Sequence, residues 1–482
     1  MSLKIDSDDD ENSGHFTYKI EEWNIKRAGK HRKYTGNIFA TTCASLTCVS
    51  FGLMLGWPSP TYPALLEPDS RIKITMPQSA MITGFLMLGV SIGTPLSSKR
   101  IVHGPKYGII LGNCLMVLGW ILMWQAKSVL WLLASRIILG LGHGFAMGQI
   151  KIYIKEMCDE SLASSFSKQL NLYAFFGLVI AFVIGPFVDF KQFSLVSLVI
   201  SVVILFVTIF LPCTPRELIE LNKIKDAQNL LQFLKPDANV EQETDKILYS
   251  LGVKTEENGF IKIIRNPTLR INFVKFSLLI FCQQFSGAPP TLVYTQILFR
   301  ESLVPSPEYV AIGYAILFFI SNVVGIYVTP KYNKKTVLVI SSISVSILSV
   351  CNILVIFYKI NHKFPYASVI VLYLFIFVHT VGLGSIPLTL INDLFPKSYR
   401  LFVTKCFIVY ISMFALIVTK IFQVLVTEYR LETPFYLFLA VSVMAAVHVL
   451  IFIPNDELAL KESSGLYQIN ITHSINNAQF KK

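Results

Sequence analysis

The sequence predicts an all-α membrane protein whose twelve transmembrane helices form two six-helix bundles. Of its 482 residues, 53% are hydrophobic and only 15% are charged, whereas soluble globular proteins carry about 25% charged residues. The apolar residues occur in blocks of about 20, long enough for a helix to cross a bilayer core of about 30 Å. The blocks fall six and six on either side of a hydrophilic segment, 213–271. Lipid is therefore the expected surrounding of most of the chain.

The predicted spans follow one another with short polar or charged segments between them. Those of the first half cover 37–57, 77–97, 107–126, 129–150, 168–188 and 192–212. Those of the second half cover 272–298, 309–329, 335–358, 367–391, 401–425 and 433–454. The chain thus divides into an N-terminal tail, a first bundle, a linker, a second bundle and a C-terminal tail, at 1–36, 37–212, 213–271, 272–454 and 455–482.

The linker contains stretches with helical periodicity. Apolar residues recur there every three or four positions, at Leu221, Ile224, Ala227, Leu231 and Leu234. This spacing places them along one face of a helix. We expect short amphipathic helices that pack against the membrane or the spans.

The N-terminal tail predicts the orientation in the membrane. An acidic run at 6–11, typical of a disordered and solvated segment, is followed by a basic cluster at 26–33 directly before the first span. Basic residues next to a span favour the cytoplasmic side. An even number of spans then leaves both termini in the cytoplasm, and we expect a multi-pass protein of the plasma membrane. The net charge of +12 follows from this topology, so we expect no nucleic-acid partner.

The sequence also disfavours an enzyme. Most of its eight cysteines fall within spans, and their spacing indicates neither a disulfide framework nor a metal site. The spans contain no nucleophile–base set, and no phosphate-binding loop is present. We expect no cofactor and no metal.

The two halves repeat one feature, an acidic residue at the end of their fourth span. Glu156 follows span four and Asp393 follows span ten. Transporters built from such repeats bind their solute near the midplane, between the halves. We expect these carboxylates to form ion pairs that gate the cytoplasmic side. The candidate gating cations are Arg136, Lys106, Lys331, Lys334, Lys335 and Arg400.

Adjacent amides mark the middle of the seventh span. Gln283 and Gln284 lie in an apolar run and are followed by Gly287, Pro289 and Pro290. Polar groups inside a membrane are costly and indicate function, and amides donate and accept hydrogen bonds, which suits a polyhydroxylated solute. Proline weakens a helix, and broken helices are tolerated where they line a cavity. A structural role for the amides between helices is the alternative.

At these residues the sequence resembles the sugar porter family of the major facilitator superfamily, and in particular the insect facilitated trehalose and hexose transporters. The resemblance covers residues 37–457. It is carried by Gln283-Gln284-Phe285-Ser286-Gly287 (family QQxSGxN), Arg136-x3-Gly140 with Tyr153-x2-Glu156 (R-x3-G…YxxE), Gly382–Pro387 with Asp393–Pro396 and Arg400 (GxGxIPW…ELFP…R), and Pro212–Arg216 (PETPR).

The resemblance implies which residues contact a sugar. The paired glutamines of span seven bind sugar hydroxyls in the family, and that role falls here on Gln283 and Gln284. The other candidate substrate contacts are Asn171, Tyr294, Phe318, Asn322, Pro289, Thr380 and Leu388. Several depart from the family: Pro289 replaces an Asn, Phe318 aligns with an Asn, Thr380 replaces an acidic residue, and Leu388 replaces a Trp. Asn322 lies one turn from Phe318 on a similar face.

The gating motifs depart from the family as well. The acidic residue of the D/E-R-x-G-R-R loops is absent from HGPK, ending at Lys106, and from PKYNKK, which contains Lys331, Lys334 and Lys335. Ala163 replaces the arginine expected seven residues after Glu156.

The resemblance implies facilitative transport of a sugar, trehalose or a hexose, by alternating access. Span one carries no carboxylate, which disfavours the proton coupling of some family members. One alternative is a divergent carrier of another uncharged organic solute. The other is a sugar-binding receptor that does not transport.

Overall fold

The computed structural model describes residues 38–97, 104–158, 160–234, 239–252, 263, 265–327 and 331–453. These residues form helices joined by short turns, and no strand occurs among them. The predicted tails, 1–36 and 455–482, lie outside the described residues.

Eleven helices of the described chain are long and apolar enough to cross a membrane. They are Ile38–Leu66, Met76–Leu96, Pro105–Trp124, Val129–Met157, Leu162–Phe187, Phe190–Ile209, Pro307–Tyr327, Lys334–Phe357, Ala367–Leu394, Tyr399–Glu428 and Thr433–Phe452. They correspond to predicted spans one to six and eight to twelve. We call the end of the bundles where span one begins, at Ile38, the proximal end, and the opposite end, at Leu66, the distal end.

The seventh predicted span is a broken helix. It consists of Pro267–Phe285, Ala288–Val293 and Thr295–Glu301. Gly287 makes the break with a φ of 108°, and a Cβ there would lie 2.5 Å from the Phe438 ring. Only glycine adopts this conformation without strain, and only glycine fits beneath that ring. The interruption predicted from the glycine and prolines is thus present, and it adds a twelfth crossing made of three pieces.

Span one is longer than predicted. The sequence pattern ended it at 57, before Pro58, but the helical path continues to Leu66. Trp57 separates Thr47–Gly56 from Pro58–Leu66. Proline is well tolerated at the first position of a helix, where its missing N–H would have had no partner. A second helix therefore begins at Pro58 and extends the span.

Glycines bring neighbouring spans of the first bundle into close contact. A Cβ on Gly140 of span four would lie 2.1 Å from the Leu86 carbonyl oxygen of span two. One on Gly52 of span one would lie 1.8 Å from the Ala174 carbonyl oxygen of span five. Small residues allow such backbone approach in membrane helices. The glycines of span four therefore serve packing, as their four-residue spacing indicates.

In the described part of the linker, the chain forms three short helices, Pro215–Glu220, Ile224–Leu234 and Val240–Gly252. Ala227 and Leu231 are buried, but Leu221 and Ile224 are exposed. The prediction of a single apolar face from Leu221 to Leu234 is therefore wrong for its first two residues, Leu221 and Ile224. Leu221 lies in the turn between two helices, so it does not continue the periodicity of the second one.

Candidate functional site

The distal end is closed by contacts between the two bundles. The Tyr294 hydroxyl of span seven lies 3.0 Å from Ser79 Oγ at the start of span two. Two residues further, the Gln296 N–H donates to Ser59 Oγ of span one. The Tyr294 ring stacks on Phe422 of span eleven. Tyr294, predicted to contact substrate, is thus placed in this closure, and its substrate contact stays a prediction.

Arg136 lies in the distal half of span four and is fully buried. Its Nη1 donates to the Met54 carbonyl oxygen at 2.7 Å. Its guanidinium carbon sits 4.2 Å from the centre of the Trp57 ring, within the range of a cation–π interaction. The guanidinium therefore joins span four to the kink of span one, far from the proximal carboxylates with which the sequence grouped it.

The paired glutamines lie at the last turn before the break of span seven. Gln283 and Gln284 are 5% and 7% exposed, so their amides face the protein interior. Gln283 Nε2 donates to the Gly384 carbonyl oxygen of span ten at 2.9 Å. Gln284 Nε2 lies 3.5 Å from Gln283 Oε1, at the limit of a hydrogen bond. The Gln283 amide thus joins the interrupted helix of span seven to that of span ten, and the Gln284 amide lies beside it.

Span ten is interrupted by a π-helical segment, Thr380–Gly384. Such segments are rare and are frequently found at functional sites. Just before it, His379 is buried, and its Nε2 lies 2.9 Å from Ser286 Oγ and 3.2 Å from the Gln283 carbonyl oxygen. Sequence reasoning missed His379 and Ser286. The sequence did contain an indication of His379, because it is an ionisable residue inside an apolar span, directly before Thr380.

Asn171, Phe318 and Asn322 lie where span five meets span eight. Phe175 packs edge-to-face on Phe318 with ring centroids 4.8 Å apart. Gln169 Nε2 donates to the Tyr327 hydroxyl at 3.2 Å. Asn171 is partly buried between these two contacts along span five. Asn322 Nδ2 donates to the Phe318 carbonyl oxygen of its own helix, so one of its two N–H donors is already used.

The other candidate substrate contacts that differ from the family are Pro289, Thr380 and Leu388. Two of them are apolar, and the hydroxyl of the third has no hydrogen-bond partner in the described chain. Pro289 is partly buried in the short helix after the break. Thr380 is buried, and its Oγ1 has no hydrogen-bond partner in the described chain. Leu388 packs against a proximal apolar cluster that includes Phe276 and Phe407. Thr380 Oγ1 is thus a polar atom near the glutamines with unused hydrogen-bonding capacity.

The two predicted gating carboxylates have different partners at the proximal end. Asp393 forms an ion pair with Lys334 of span nine. Glu156 Oε2 accepts a hydrogen bond from Thr214 Oγ1 at 2.7 Å, where the linker begins. Both contacts stay within one half of the chain and its linker. Their role in gating stays a prediction.

Glu217 is a proximal carboxylate that sequence reasoning missed. It is completely buried, accepts hydrogen bonds from the Thr214 and Lys106 N–H groups at 2.7 Å each, and packs on Gly104. Burial, with a smaller contribution from the Glu156 charge, raises the pKa of Glu217 to about 7. The backbone of Lys106, a predicted gating residue, is thus tied to the linker by a carboxylate from outside the loop motif.

The other predicted gating cations contact backbone or solvent. Arg400 Nη2 and Nε donate to the Asn392 and Phe395 carbonyl oxygens, which fixes the turn between spans ten and eleven. Lys331 is exposed and Lys335 partly buried at the start of span nine.

The sequence is similar to known sugar transporters along most of its length. The family model described as "Sugar (and other) transporter" matches residues 28–460. The facilitated trehalose transporter Tret1 of Apis mellifera ligustica is 24% identical over 435 residues, covering 88% of this chain and 86% of that protein. The sugar transporter ERD6-like 17 of Arabidopsis thaliana is 24% identical over 448 residues, covering 90% and 91%.

Solved structures share the fold. The partially occluded inward-open xylose transporter XylE from E. coli superposes with a TM-score of 0.71 at 17% identity, covering 87% of this chain and 98% of that one. XylE bound to 6-bromo-6-deoxy-D-glucose, described as a major facilitator superfamily protein, superposes with a TM-score of 0.70. The chain is therefore a multi-pass membrane protein with the twelve-span fold of that superfamily, and it belongs to the sugar transporter family.

Proposed function

We propose that this protein carries a sugar across the membrane by facilitative alternating access. The observation that supports this best is the junction of two interrupted helices at Gln283, Gln284 and Gly384. There, side-chain amides of span seven meet the irregular backbone of span ten, both in the second bundle, and repeat-built transporters bind solutes between their halves. The names of its relatives, which are trehalose and other sugar transporters, favour the same solute class.

The glutamine amides are the proposed sugar contacts. Each amide offers two N–H donors and an acceptor oxygen, and the Gln283–Gly384 bond uses one of these donors. Sugar hydroxyls would pair with the rest and with Thr380 Oγ1. Asn171 and Asn322 contribute from the facing spans five and eight. Phe318 and Leu388 would contact the apolar faces of the ring.

The closed distal end supports entry and release from the proximal side in this conformation. We assign the proximal end to the cytoplasm because basic residues cluster there, at Lys106 and at Lys331–Lys335. Both termini are then cytoplasmic and the plasma membrane is the proposed location. Alternating access requires the Tyr294–Ser79 and Gln296–Ser59 contacts to break when the distal end opens.

Uptake of labelled trehalose, glucose and fructose into transporter-null cells tests this proposal. We expect saturable uptake of at least one sugar, and loss of that uptake in Gln283→Ala and Gln284→Ala. Gln423→Ala is the matched control, because Gln423 is an equally buried amide whose partners are its own neighbours on span eleven. Surface expression is measured for each variant.

Each other result has a definite meaning. Sugar binding without flux would overturn transport and favour a receptor. Neither binding nor flux, with the protein at the surface, would point to a different solute. Equal loss in Gln423→Ala would show that the glutamine effect is structural.

A further inference from the structure

Charged residues inside the spans are all cations. Each carboxylate of the described spans lies within two residues of a helix end, at Glu156, Glu301, Glu308, Asp393 and Glu428. More than one helical turn inside, every charged residue is a lysine or arginine, at Arg136, Lys151, Lys168, Lys275, Lys405 and Lys420. Charges at such depth are costly and almost always face an interior, a cavity or a partner. The described spans therefore have positively charged residues, and no carboxylate, more than one turn from their ends.

Lys151 and Lys405 lie at the same depth on opposite bundles. Lys151 is six residues from the proximal end of span four, Val129–Met157, and Lys405 is six residues from that of span eleven, Tyr399–Glu428. At 1.5 Å per residue, each is about 9 Å along the helix from its proximal end. The two cations thus lie at a similar height in the two bundles, between the proximal end and the midplane.

Contacts place the Lys405 side chain against span four, the span that carries Lys151. A Cβ on Gly148 would lie 4.0 Å from Lys405 Cε and 2.7 Å from Ser97 Cβ, so Lys405 reaches across to the junction of spans two and four. Lys151 follows Gly148 by one helical turn. Met147, four residues before Lys151 on the same face of span four, contacts Cys48 of span one with 3.9 Å between their sulfur atoms. Lys151 therefore lies on the side of span four that faces span one.

Neither ammonium group has a carboxylate partner. Among the residues that the structure describes, no carboxylate lies within ion-pair distance of Lys151 or Lys405. Both are only partly buried, so they reach an accessible space. A cation in a low-dielectric site attracts an anion strongly, and two cations from opposite bundles would both reach an anion held between them.

We propose that the sugars that this protein carries include ones with an anionic group, a carboxylate or a phosphate, which Lys151 and Lys405 bind on the path through the proximal half. This rests on the proposed function and names its solute class. The glutamines hold the hydroxyls, and the lysines hold the charge. Thr380 is consistent with an anionic solute. It replaces an acidic residue of the family, so it adds no negative charge that would repel the anionic group.

Reconstituted full-length protein tests the proposal with sugars that differ in one group. Glucose, glucuronate and glucose 6-phosphate are offered to proteoliposomes with and without an interior-positive potential. We expect acidic-sugar uptake that the potential accelerates, because net charge moves. Hydrogen bonds to charged groups contribute enough that Lys151→Gln or Lys405→Gln should raise KM for the acidic sugar at least about tenfold. Lys155→Gln is the matched control, one turn further on the same helix and exposed.

The outcomes separate this proposal from the one on which it rests. Glucose uptake without uptake of either acidic sugar would overturn the anionic solute and leave sugar transport standing. Acidic-sugar uptake with unchanged KM in both lysine variants would overturn the assigned site. No flux of any sugar, with correctly inserted protein, would overturn both proposals. Uptake of glucuronate but not glucose 6-phosphate would assign the carboxylate as the recognised group. Unfolding temperatures of the variants identify any general loss of stability.

Discussion

The Tyr294 hydroxyl and Ser79 Oγ, 3.0 Å apart, join span seven to span two across the distal end. Both residues are buried, and the Tyr62 hydroxyl donates to the Ser79 carbonyl oxygen from span one. Two tyrosines, one from each bundle, therefore meet at the start of span two. This small polar contact closes one side of a transporter that must open it in every cycle.

Tyr294→Phe should shift the protein toward the distal-open state. The substitution keeps the ring on Phe422 but removes one hydrogen bond, worth about 1 kcal/mol, which corresponds to a shift of about fivefold in the equilibrium. Double electron–electron resonance between labels at the exposed distal residues Asp69 and Tyr436, with Cys114 replaced, would measure the open population.

Tyr314→Phe controls for the loss of a buried hydroxyl as such. Its hydroxyl bonds Thr291 Oγ1 within the second bundle, so its removal should leave the distance distribution unchanged. An unaltered distribution in Tyr294→Phe would exclude the Tyr294–Ser79 contact as a determinant of closure.

His379→Leu should weaken sugar binding without stopping translocation. It leaves the Gln283 carbonyl oxygen and Ser286 Oγ without their imidazole partner, at a cost of about 1–3 kcal/mol, and frees the glutamine turn to move. We expect KM for the transported sugar to rise about tenfold with the maximal rate within twofold. His379→Gln, which keeps a donor, should restore part of the affinity. A lower maximal rate at unchanged KM would contradict this positioning role.

Thermal stability should fall as pH rises toward 7, and Glu217 should cause part of that fall. Its pKa is about 7 in the folded protein but about 4.3 in an unfolded chain. Between these values the folded protein holds a proton that the unfolded chain has lost, so folding weakens as pH increases through this window. Above pH 7 this contribution becomes constant.

Glu217→Gln should remove that pH dependence. The amide cannot ionise, and it loses one of the two backbone bonds to Thr214 and Lys106, so we expect a lower unfolding temperature with a flatter profile between pH 5 and 8. The difference between the two profiles isolates Glu217 from the other titrating groups. If the unfolding temperatures of the unaltered protein and of Glu217→Gln changed with pH in parallel, groups other than Glu217 would cause the pH dependence.

Gly140→Ala should destabilise the first bundle. The added methyl would meet the Leu86 carbonyl oxygen at 2.1 Å, and such overpacking costs about 1–3 kcal/mol. Gly384→Ala is the matched control, since its Cβ would have no contact closer than 3.4 Å. We expect a lower unfolding temperature in detergent for the first variant only. Equal unfolding temperatures of the two variants would mean that spans two and four can move apart with little loss of stability.

The sequence by itself determined the membrane fold and the position of the paired glutamines. Span length and apolarity predict crossings because a bilayer admits only helices or closed barrels. The break of span seven was predictable for a local reason, since glycine and proline act on their own turn. Span one was predicted too short, because a proline that begins a new helix looks the same in sequence as one that ends a span.

Contacts between distant spans were decided by the tertiary structure alone. Tyr294 lies in the same predicted span as Gln283, yet it belongs to the distal closure. Arg136 stacks on Trp57, and Glu217 of the linker accepts a hydrogen bond from the Lys106 N–H. Lys405 reaches Gly148 across the bundle boundary. Each contact depends on how two helices are rotated and tilted against each other, which side-chain packing sets and one-dimensional periodicity does not specify.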